Sequence, residues 1–309
     1  MTDAGAGPLF PPQRLTQEEA EEEIQHLAQR DPHACGCEQT RWTLAALQQQ
    51  VSWMNGLTIP GVHTILGRLR ITWKRARSAV RSPDPNYMGK LADVNQILAL
   101  ARASAGRIAA LYLDEVTVER QPTLAAAYAR LGHDQARAVR SHSANTQTRI
   151  VATLDALSGQ VVFQMESKTT LAVLIKFYQT VCQTYPNAER IYVIQDNWPV
   201  HTHPDILVAL QPQLTRWEWH RPSNWPTTPS DKAVKQWSHL NLPIQIVPLP
   251  TYASWCNPIE KLWRKLRQDV THLHPWANDL PRLRQELQRF LDQFAAGSET
   301  LLRYVGIPN

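Results

Sequence analysis

From residue 108 onward the chain contains short apolar runs, some continuous and some alternating with polar positions, and these runs predict β-strands. Such runs cover residues 108–118, 149–154, 160–165, 190–195 and 244–248, with a further alternating run at 138–143. We expect helices before the first run, over 90–105, and between later runs, over 170–184 and 204–210; the helix over 170–184 is amphipathic. The order of these elements predicts an α/β domain whose sheet is flanked by helices.

The first quarter of the chain follows a helical pattern instead. Residues 1–12 are small and contain prolines, and we expect them to be disordered. Thr16 and Glu19 form a capping-box pattern that opens an acidic helix. Two further patterns, beginning near Thr40 and Ile59, predict a short helix, a turn and a second helix. This is the pattern of a helix-turn-helix, whose second helix enters the major groove of DNA.

Basic residues follow the second of these helices, with Trp73 among them. Arg and Lys side chains in this position can pair with DNA phosphates. The alternative is a small helical bundle with a solvated basic face, because spacing alone does not reveal base-reading geometry. The candidate DNA-binding residues are His63, Thr64, Arg68, Arg70, Lys74, Arg75 and Arg77.

Two prolines, Pro83 and Pro85, interrupt helical structure and predict a linker between domains. We therefore expect a disordered tail with the acidic helix, a helix-turn-helix domain, a linker with a helix, an α/β domain and a C-terminal helical segment. These parts cover residues 1–35, 36–80, 81–106, 107–275 and 276–309.

Charge and cysteine content bear on the possible partners and the cellular compartment of the protein. The formal charge of +5 and the pI near 9.1 of this 309-residue chain admit a nucleic-acid partner without requiring one. Its four cysteines are scattered, and neither a secretory signal nor an apolar run of membrane length is visible. We expect a cytoplasmic protein with no membrane partner, associated with the nucleoid when it is bound to DNA.

Three acidic side chains stand where a sheet and a helix can bring them together. Asp114 follows the apolar residues 111–113, and Asp196 follows the run at 190–195. Asn257 is suited to cap a helix whose first turn carries Glu260. Carboxylates in these positions can converge at one edge of a sheet and hold hard divalent cations.

The motifs around these acids resemble the catalytic signature of DDE transposases, and more narrowly that of bacterial insertion-sequence enzymes related to the mariner superfamily. The similarity covers roughly residues 40–272. The motifs that carry it are Asp114-Glu115, Asp196-Asn197 with His201 after it, and Leu249-Pro250-x-Tyr252 followed by Asn257-Pro258-Ile259-Glu260-x-x-Trp263.

This resemblance implies an RNase H-like fold, with a mixed five-stranded sheet flanked by helices and preceded by a small all-α helix-turn-helix domain. It implies a metal-dependent DNA endonuclease and strand transferase that acts at terminal inverted repeats by cut-and-paste transposition. The implied cofactor is Mg²⁺, with Mn²⁺ as a substitute. The implied partners are double-stranded DNA, both terminal repeats and target, and a second copy of the chain in a synaptic homodimer.

The resemblance also assigns roles to individual residues. The catalytic residues and metal ligands are Asp114, Asp196 and Glu260. The supporting residues, which orient ligands, water or phosphate, are Asn197, His201 and Asn257. Strand alternation points Glu115 away from Asp114, so Glu115 is either a further supporting residue or the partner of a salt bridge or turn contact.

The chain departs from the family pattern in two places. Between the second and third acids it is unusually long, and the excess, an insertion at about 212–243, contains Trp217, Trp219, Trp225 and Trp237. These rings either stack on distorted DNA or pack within a loop that covers the sheet. In addition, only one helix-turn-helix is clear where relatives commonly carry two.

Two other functions are compatible with parts of the pattern. One is a catalytically idle, transposon-derived protein that binds specific DNA through the helix-turn-helix, which the intact acids disfavour. The other is a different RNase H-like nuclease such as a junction resolvase, which the helix-turn-helix and the motif around Glu260 disfavour.

Overall fold

The computed structural model of the chain describes residues 15–74, 82–132, 134–143, 146–210 and 223–307. The chain divides into two compact units, Met1–Ala79 and Val80–Asn309. Within the described ranges no helix is long and apolar enough to cross a membrane. The expected disordered tail lies outside these ranges, as do four candidate DNA contacts, Arg75, Arg77, Trp217 and Trp219.

The first unit contains the helices α1 (Gln17–Ala28), α2 (Leu44–Gln50) and α3 (Ile59–Arg68). Each begins after a threonine whose hydroxyl accepts a hydrogen bond from the backbone N–H of the third helical residue; these threonines are Thr16, Thr43 and Thr58. At α1 the carboxylate of Glu19 also accepts the backbone N–H of Thr16 at 2.7 Å. This reciprocal pair completes the capping box that the sequence predicts.

One apolar core joins the three helices, and the acidic helix takes part in it. Ala20 and Ile24 of α1 are fully buried in the same cluster as residues of α2, α3 and the turn between them, which are Leu47, Val51, Met54, Val62, Ile65, Leu66 and Leu69. The sequence sets the acidic helix apart from the helix-turn-helix, yet in the structure it is the first helix of the same bundle. The helices α2 and α3 occupy the positions predicted for the helix-turn-helix.

The second unit is built on a five-stranded sheet with the order β3-β2-β1-β4-β5. Its strands are β1 (Ile108–Glu119), β2 (Gln147–Asp155), β3 (Val161–Glu166), β4 (Arg190–Gln195) and β5 (Ile244–Pro248). The first three pair antiparallel, whereas β4 and β5 run parallel to β1. The sheet is therefore mixed, as predicted.

Helices cover both faces of the sheet. In the described residues they are α4 (Tyr87–Ala103), α5 (Leu171–Thr184), α6 (Pro204–Leu207), α7 (Asp231–Trp237), α8 (Ile259–Leu266), α9 (Leu280–Asp292) and α10 (Glu299–Val305). One core packs the sheet against α4, α8, α9 and α10 and includes Tyr112 and Trp263. The other packs it against α5 and α6 and includes Leu113 and Tyr178. Alternation along β1 thus assigns neighbouring residues to opposite cores.

Residues 138–143 form no strand, although their alternation predicts one. Both edges of β1 are already paired, with β2 and β4, so that strand offers no further place in the sheet. The segment is held by side chains instead: the amide of Gln121 exchanges two hydrogen bonds of 3.0 Å with the backbone of Ser141, and Arg120 donates to the Ser141 hydroxyl at 2.7 Å. Val139 is 67% exposed, so the alternation here buries no face.

The described part of the insertion packs against the rest of its unit. The ring of Trp225 meets that of His203 edge-on, with 5.0 Å between ring centres. Trp237, the last residue of α7, is partly buried against the core beneath α5 and α6. For these two tryptophans the structure favours packing within the protein over an open stacking surface.

The chain before α4 is anchored to the loop before α8. Asp84 forms an ion pair of 2.7 Å with Lys90 and accepts the backbone N–H of Thr251 at 2.8 Å, and the hydroxyl of Ser82 donates to the Thr251 carbonyl at 2.6 Å. Burial alone would raise the pKa of Asp84, but these hydrogen bonds and the charge of Lys90 lower it to about 2. The next residue of the loop, Tyr252, is held in the left-handed region with a φ of 53°, which costs roughly 1–3 kcal/mol.

We expect Asp84→Asn to lower stability at neutral pH and to make little difference in strong acid. The ordinary pKa of the carboxyl is 3.8 and the folded value is lower, so its charge stabilises the fold above about pH 4, and that contribution is lost as the pH falls toward 2. The loss of charge-assisted hydrogen bonds should cost about 1.5–3 kcal/mol. Thermal melting across this pH range measures it, with the exposed Asp93→Asn as control. An equal loss at every pH would show that the charge is not responsible.

Candidate active site

The two aspartates lie side by side at one edge of the sheet. Strands β1 and β4 are parallel neighbours, with Tyr112 opposite Ile194. Two residues further along each chain stand Asp114, still within β1, and Asp196, just past the end of β4. The register therefore places Asp114 and Asp196 at neighbouring positions of one edge of the sheet.

Asp114 lies on the face of the sheet that carries α8. The indole N–H of Trp263, a residue only 1% exposed, donates a hydrogen bond of 2.9 Å to one Asp114 carboxylate oxygen. Burial raises the pKa of Asp114, and the neighbouring charges of Glu260 and Glu115 raise it further, to about 7. The Trp263 bond works in the opposite direction but does not cancel this effect. Negative charge at Asp114 is thus incompletely compensated by the protein.

Glu260 approaches the two aspartates from the first turn of α8. Desolvation raises the pKa of Glu260; the positive charge of Arg267 opposes this shift, and the negative charge of Asp196 adds to it. Asp114 interacts with Glu260, and Glu260 interacts with Asp196, so the three carboxylates form one electrostatic group.

The chemistry of these acids fits a divalent cation. Carboxylate oxygens are the ligands that Mg²⁺ prefers, and the raised pKa values of Asp114 and Glu260 identify negative charge that a cation would compensate. In the described ranges, however, no three His, Cys, Asp or Glu side chains are arranged to hold one ion.

A buried ion pair lies behind the acids, on the other face of the sheet. The Nε2 atom of the fully buried His201 is 3.3 Å from a carboxylate oxygen of Glu115 and 3.8 Å from one of Asp196. Burial lowers the pKa of His201, but the charges of Glu115 and Asp196 outweigh this and raise it. Neither ring nitrogen of His201 has a hydrogen-bond partner in the described part of the chain, so its contact with Glu115 is an ion pair. Glu115 is therefore a salt-bridge partner, one of the two predicted alternatives.

Two asparagines brace the loops that carry the acids. The side-chain amide of Asn197 donates to the Leu249 carbonyl at 2.7 Å, which ties the end of β4 to the end of β5. Asn257 does not cap α8 as the sequence predicts; Pro258 occupies that position and no side chain caps the helix. The amide of Asn257 instead donates to the Leu113 carbonyl at 3.0 Å, where the pairing of β1 with β4 has ended. It thereby fixes the start of α8 beside Asp114.

Sequence reasoning overlooked the contact between Trp263 and Asp114. It placed Trp263 in the apolar stripe of α8, which is correct, since the side chain is fully buried. A buried indole N–H usually finds an acceptor, and this rule was the available signal. The contact of Asp84 with Thr251 had no such signal, because the two residues are far apart in the sequence.

Comparison with known proteins shows which family the chain resembles. The family model described as DDE superfamily endonuclease matches residues 109–283. The chain belongs to this family. The match runs from β1 into α9 and so includes all three acids of this DDE endonuclease. It confirms the family predicted from the sequence, while the roles of the individual acids stay predictions.

Relatives of this DDE endonuclease include an insertion-element protein. The "Insertion element IS630 uncharacterized 39 kDa protein" of Shigella sonnei is 22% identical over 271 residues, which are 87% of this chain and 69% of the relative.

Solved structures of Mos1 resemble the fold. A Mos1 mariner paired end complex with Mn has a TM-score of 0.57 at 16% identity and covers 98% of this chain and 78% of that one. A Mos1 strand transfer complex has a TM-score of 0.54 at 14% identity over 98% and 77%. These likenesses confirm the predicted fold class, a mixed five-stranded sheet flanked by helices with a helical region before it.

Proposed function

We propose that this DDE endonuclease is a transposase, which cleaves DNA at the terminal inverted repeats of an insertion sequence and joins the freed ends to target DNA. The observation that carries the proposal is the placement of Asp114 and Asp196 at one edge of the sheet, with Glu260 in the first turn of α8 interacting with both. The insertion-element relative and the family assignment support it. The alternative of a catalytically idle DNA-binding protein has no support among these relatives.

The reaction consists of two in-line displacements at phosphorus. In the first, an oxygen of water bonds to the phosphorus and the bond to the 3′ oxygen of the strand breaks, which leaves a 3′ hydroxyl. In the second, the oxygen of that hydroxyl bonds to a phosphorus of the target and releases its proton to water, while the bond from that phosphorus to a target 3′ oxygen breaks and leaves a new 3′ hydroxyl. Divalent cations, Mg²⁺ or its substitute Mn²⁺, activate the attacking oxygen and stabilise the leaving one when they are bound.

The chain contributes the carboxylates that would hold the cations and the contacts that orient them. Trp263 fixes the direction of the Asp114 carboxylate, and Asn257 fixes the helix that carries Glu260. His201 lies close to Asp196 and Glu115 and restrains the segment after β4. Groups of this kind commonly affect metal affinity or activity by about 10- to 100-fold.

Double-stranded DNA is the proposed partner, with two copies of the chain in the synaptic complex. The Mos1 structures are described as a paired end complex and a strand transfer complex, which is the arrangement we propose for this chain. A protein that acts on chromosomal DNA would work at the nucleoid.

Cleavage of end DNA tests the proposed function. A duplex that carries the inverted repeat flanking the gene should be nicked at the end of the repeat when a divalent metal is added, and labelled ends should become joined to a target plasmid. Chelation should stop both steps. Specific binding without any cleavage in either Mg²⁺ or Mn²⁺ would favour the idle DNA-binding protein instead.

The first unit is proposed to bind the repeats. The candidate contacts that the structure describes are all exposed and lie on or just after α3. They are His63, Thr64, Arg68, Arg70 and Lys74. The neighbouring Trp73 is 73% exposed, with the guanidinium of Arg41 at 5.5 Å from its ring centre. An exposed ring among accessible basic side chains suits a nucleic-acid surface.

We expect Arg68→Gln combined with Lys74→Gln to weaken binding to all DNA sequences and to flatten its salt dependence. Each lost phosphate contact should reduce the slope of log K against log salt by about 0.9, or by roughly 1.8 for the pair. Titrations of the full chain at several salt concentrations measure this slope. Arg289→Gln, at an exposed position of α9, is the matched control. An unchanged slope would favour the alternative interpretation, in which the first unit is a small helical bundle with a solvated basic face.

A further inference from the structure

The strand β3 is the last strand on one side of the sheet. A cavity of about 570 Å³ lies along its outer edge, between β3, the helix α9 and Thr184 at the end of α5. The strand β2 separates β3 from β1, which carries Asp114, and none of the residues that line the cavity belongs to the candidate active site. This edge is therefore a separate surface of the protein.

Backbone groups of alternate residues in β3 point away from β2 and toward the cavity. The Val161 N–H donates to the Phe294 carbonyl at 3.0 Å, and Arg284 donates to the Met165 carbonyl at 3.1 Å. Val161, Phe163 and Met165 are therefore the outward-facing residues. Four of their groups lie between the two occupied ones: the Val161 carbonyl, the N–H and carbonyl of Phe163, and the Met165 N–H. In the part of the chain that the structure describes, these four groups have no hydrogen-bond partner.

Unpaired groups at the edge of a sheet are a template for another extended chain, and natural edges are often protected by proline, lysine or a bulge. The sequence of β3, Val-Val-Phe-Gln-Met-Glu, contains neither of these residues, and its pairing with β2 is regular from one end to the other. Among the described residues, only Phe294 and Arg284 bond to this edge, one at each end. The middle of the edge is thus open to pairing.

The helix α9 places opposite charges at the two ends of this edge. Arg284 lines the cavity at one end, and Asp292 lines it near Phe294 at the other. Neither forms an ion pair with another described residue, because the ion pairs within α9 use its other charged side chains. The uncharged amides of Gln285 and Gln288 lie between them. An extended chain along this edge therefore meets a positive charge at one end and a negative charge at the other.

We propose that this edge binds one extended segment of a partner protein, which pairs antiparallel with β3 as a sixth strand. The walls on either side of the edge admit a single chain, whereas β3 of a second copy carries its own walls and cannot enter. Five residues of the segment make the contact. The central one exchanges two hydrogen bonds with Phe163, the carbonyl of the first accepts the Met165 N–H, and the fifth donates its N–H to the Val161 carbonyl.

The charges of α9 define the chemistry of the segment. Val161, Phe163 and Met165 pack into the core that includes α9, so the first, third and fifth side chains of an antiparallel partner lie on the α9 side as well. The first then lies beside Arg284 and the fifth beside Asp292. The partner segment therefore carries an acidic, an apolar and a basic residue at these three positions.

Peptides with modified backbones test the pairing. The probe is the capped, fluorescently labelled peptide Glu-Thr-Val-Thr-Lys, whose dissociation constant for the full chain is measured by anisotropy. Methylation of the backbone nitrogen of its central valine should weaken binding about tenfold, because the hydrogen bond to the Phe163 carbonyl is lost and the methyl group meets the strand. Methylation of the next nitrogen, which points away from β3, should change binding by less than about twofold.

A charge exchange tests the orientation of the segment. The wild-type chain should bind the lysine peptide roughly fivefold more tightly than the same peptide ending in glutamate, and Asp292→Lys should reverse this preference. Asp93→Lys, a matched change at an exposed position of α4, should keep the wild-type preference. Thermal melting establishes that each variant is folded.

A proline substitution tests the strand itself. Phe163→Pro removes an outward N–H on which no bond within the sheet depends, so it should abolish binding of the probe. Phe163→Leu keeps that N–H and should bind the probe within about twofold of the wild-type protein. If Phe163→Pro does not fold, the methylated peptides and the charge exchange decide the question.

The outcomes are distinct. Equal binding of the two methylated peptides, an unchanged preference in Asp292→Lys, or no binding of the probe at millimolar concentration would overturn the proposal. If instead the chain self-associates and Phe163→Pro makes it monomeric, the edge belongs to a second copy and the partner segment is excluded. None of these measurements involves DNA, so the proposed function is tested separately.

Discussion

We expect Asp114→Asn to abolish DNA cleavage while binding of the terminal repeats is retained. The substitution keeps the shape of the side chain and an oxygen that can accept the Trp263 hydrogen bond, but it removes the charge that would hold a cation. Loss of several kcal/mol of transition-state stabilisation, about 4 kcal/mol for example, lowers the rate about a thousandfold. Asp196→Asn and Glu260→Gln should behave in the same way.

The stability of Asp114→Asn provides an independent check. Because burial and neighbouring acids raise the pKa of Asp114 to about 7, its charged form opposes folding above that pH. The neutral variant should therefore melt at the same temperature as the wild-type protein or higher at pH 8 without metal. Asp93→Asn, at an exposed position of α4, controls for the loss of any carboxylate. Cleavage at the wild-type rate by any one of the three acid variants would refute the assignment of that acid.

The second large effect is expected at Trp263, where packing and orientation can be separated. Trp263→Ala leaves a cavity in the core beneath α8 and should lower the free energy of unfolding by about 3–5 kcal/mol. Trp263→Phe fills most of that space and removes only the hydrogen bond to Asp114. We expect this variant to keep most of its stability and to lose about 10- to 100-fold in cleavage rate, as is usual when a group that orients a metal ligand is removed.

Chemical denaturation and single-turnover cleavage, measured side by side, distinguish the two contributions of Trp263. Trp237→Phe, a partly buried tryptophan against the opposite core, is the matched control and should leave cleavage unchanged. A fully active Trp263→Phe would mean that Asp114 needs no fixed orientation.

Much of this site follows from the sequence because its residues stand beside regular elements. Asp114 and Asp196 come after apolar strand residues, and two parallel neighbours in one sheet necessarily bring such positions together. The opposite orientation of Glu115 follows from strand alternation alone. Local patterns of this kind also predict the capping box at Thr16, since it needs only residues within one turn.

Contacts between distant segments could not be predicted in this way. Asn257 has the chemistry of a helix cap, yet an unpaired carbonyl of β1 is a better partner for its amide, and only the tertiary structure brings the two together. The alternation at 138–143 predicts a strand, but both edges of β1 are occupied. The acidic helix is predicted to be solvated because most of its residues are polar and many are glutamates. Two apolar residues, Ala20 and Ile24, nevertheless pack it into the core of the first unit.

The central strand also constrains how this protein can change over generations. Asp114 and Glu115 face opposite sides of β1, which is hydrogen-bonded to β2 on one edge and to β4 on the other. Gain or loss of a single codon within β1 would exchange the two sides, turning one acid toward His201 and the other toward Trp263. Descendants of a common ancestor should therefore differ in length between Glu119 and Gln147 or after Leu210, and hardly ever inside residues 108–119.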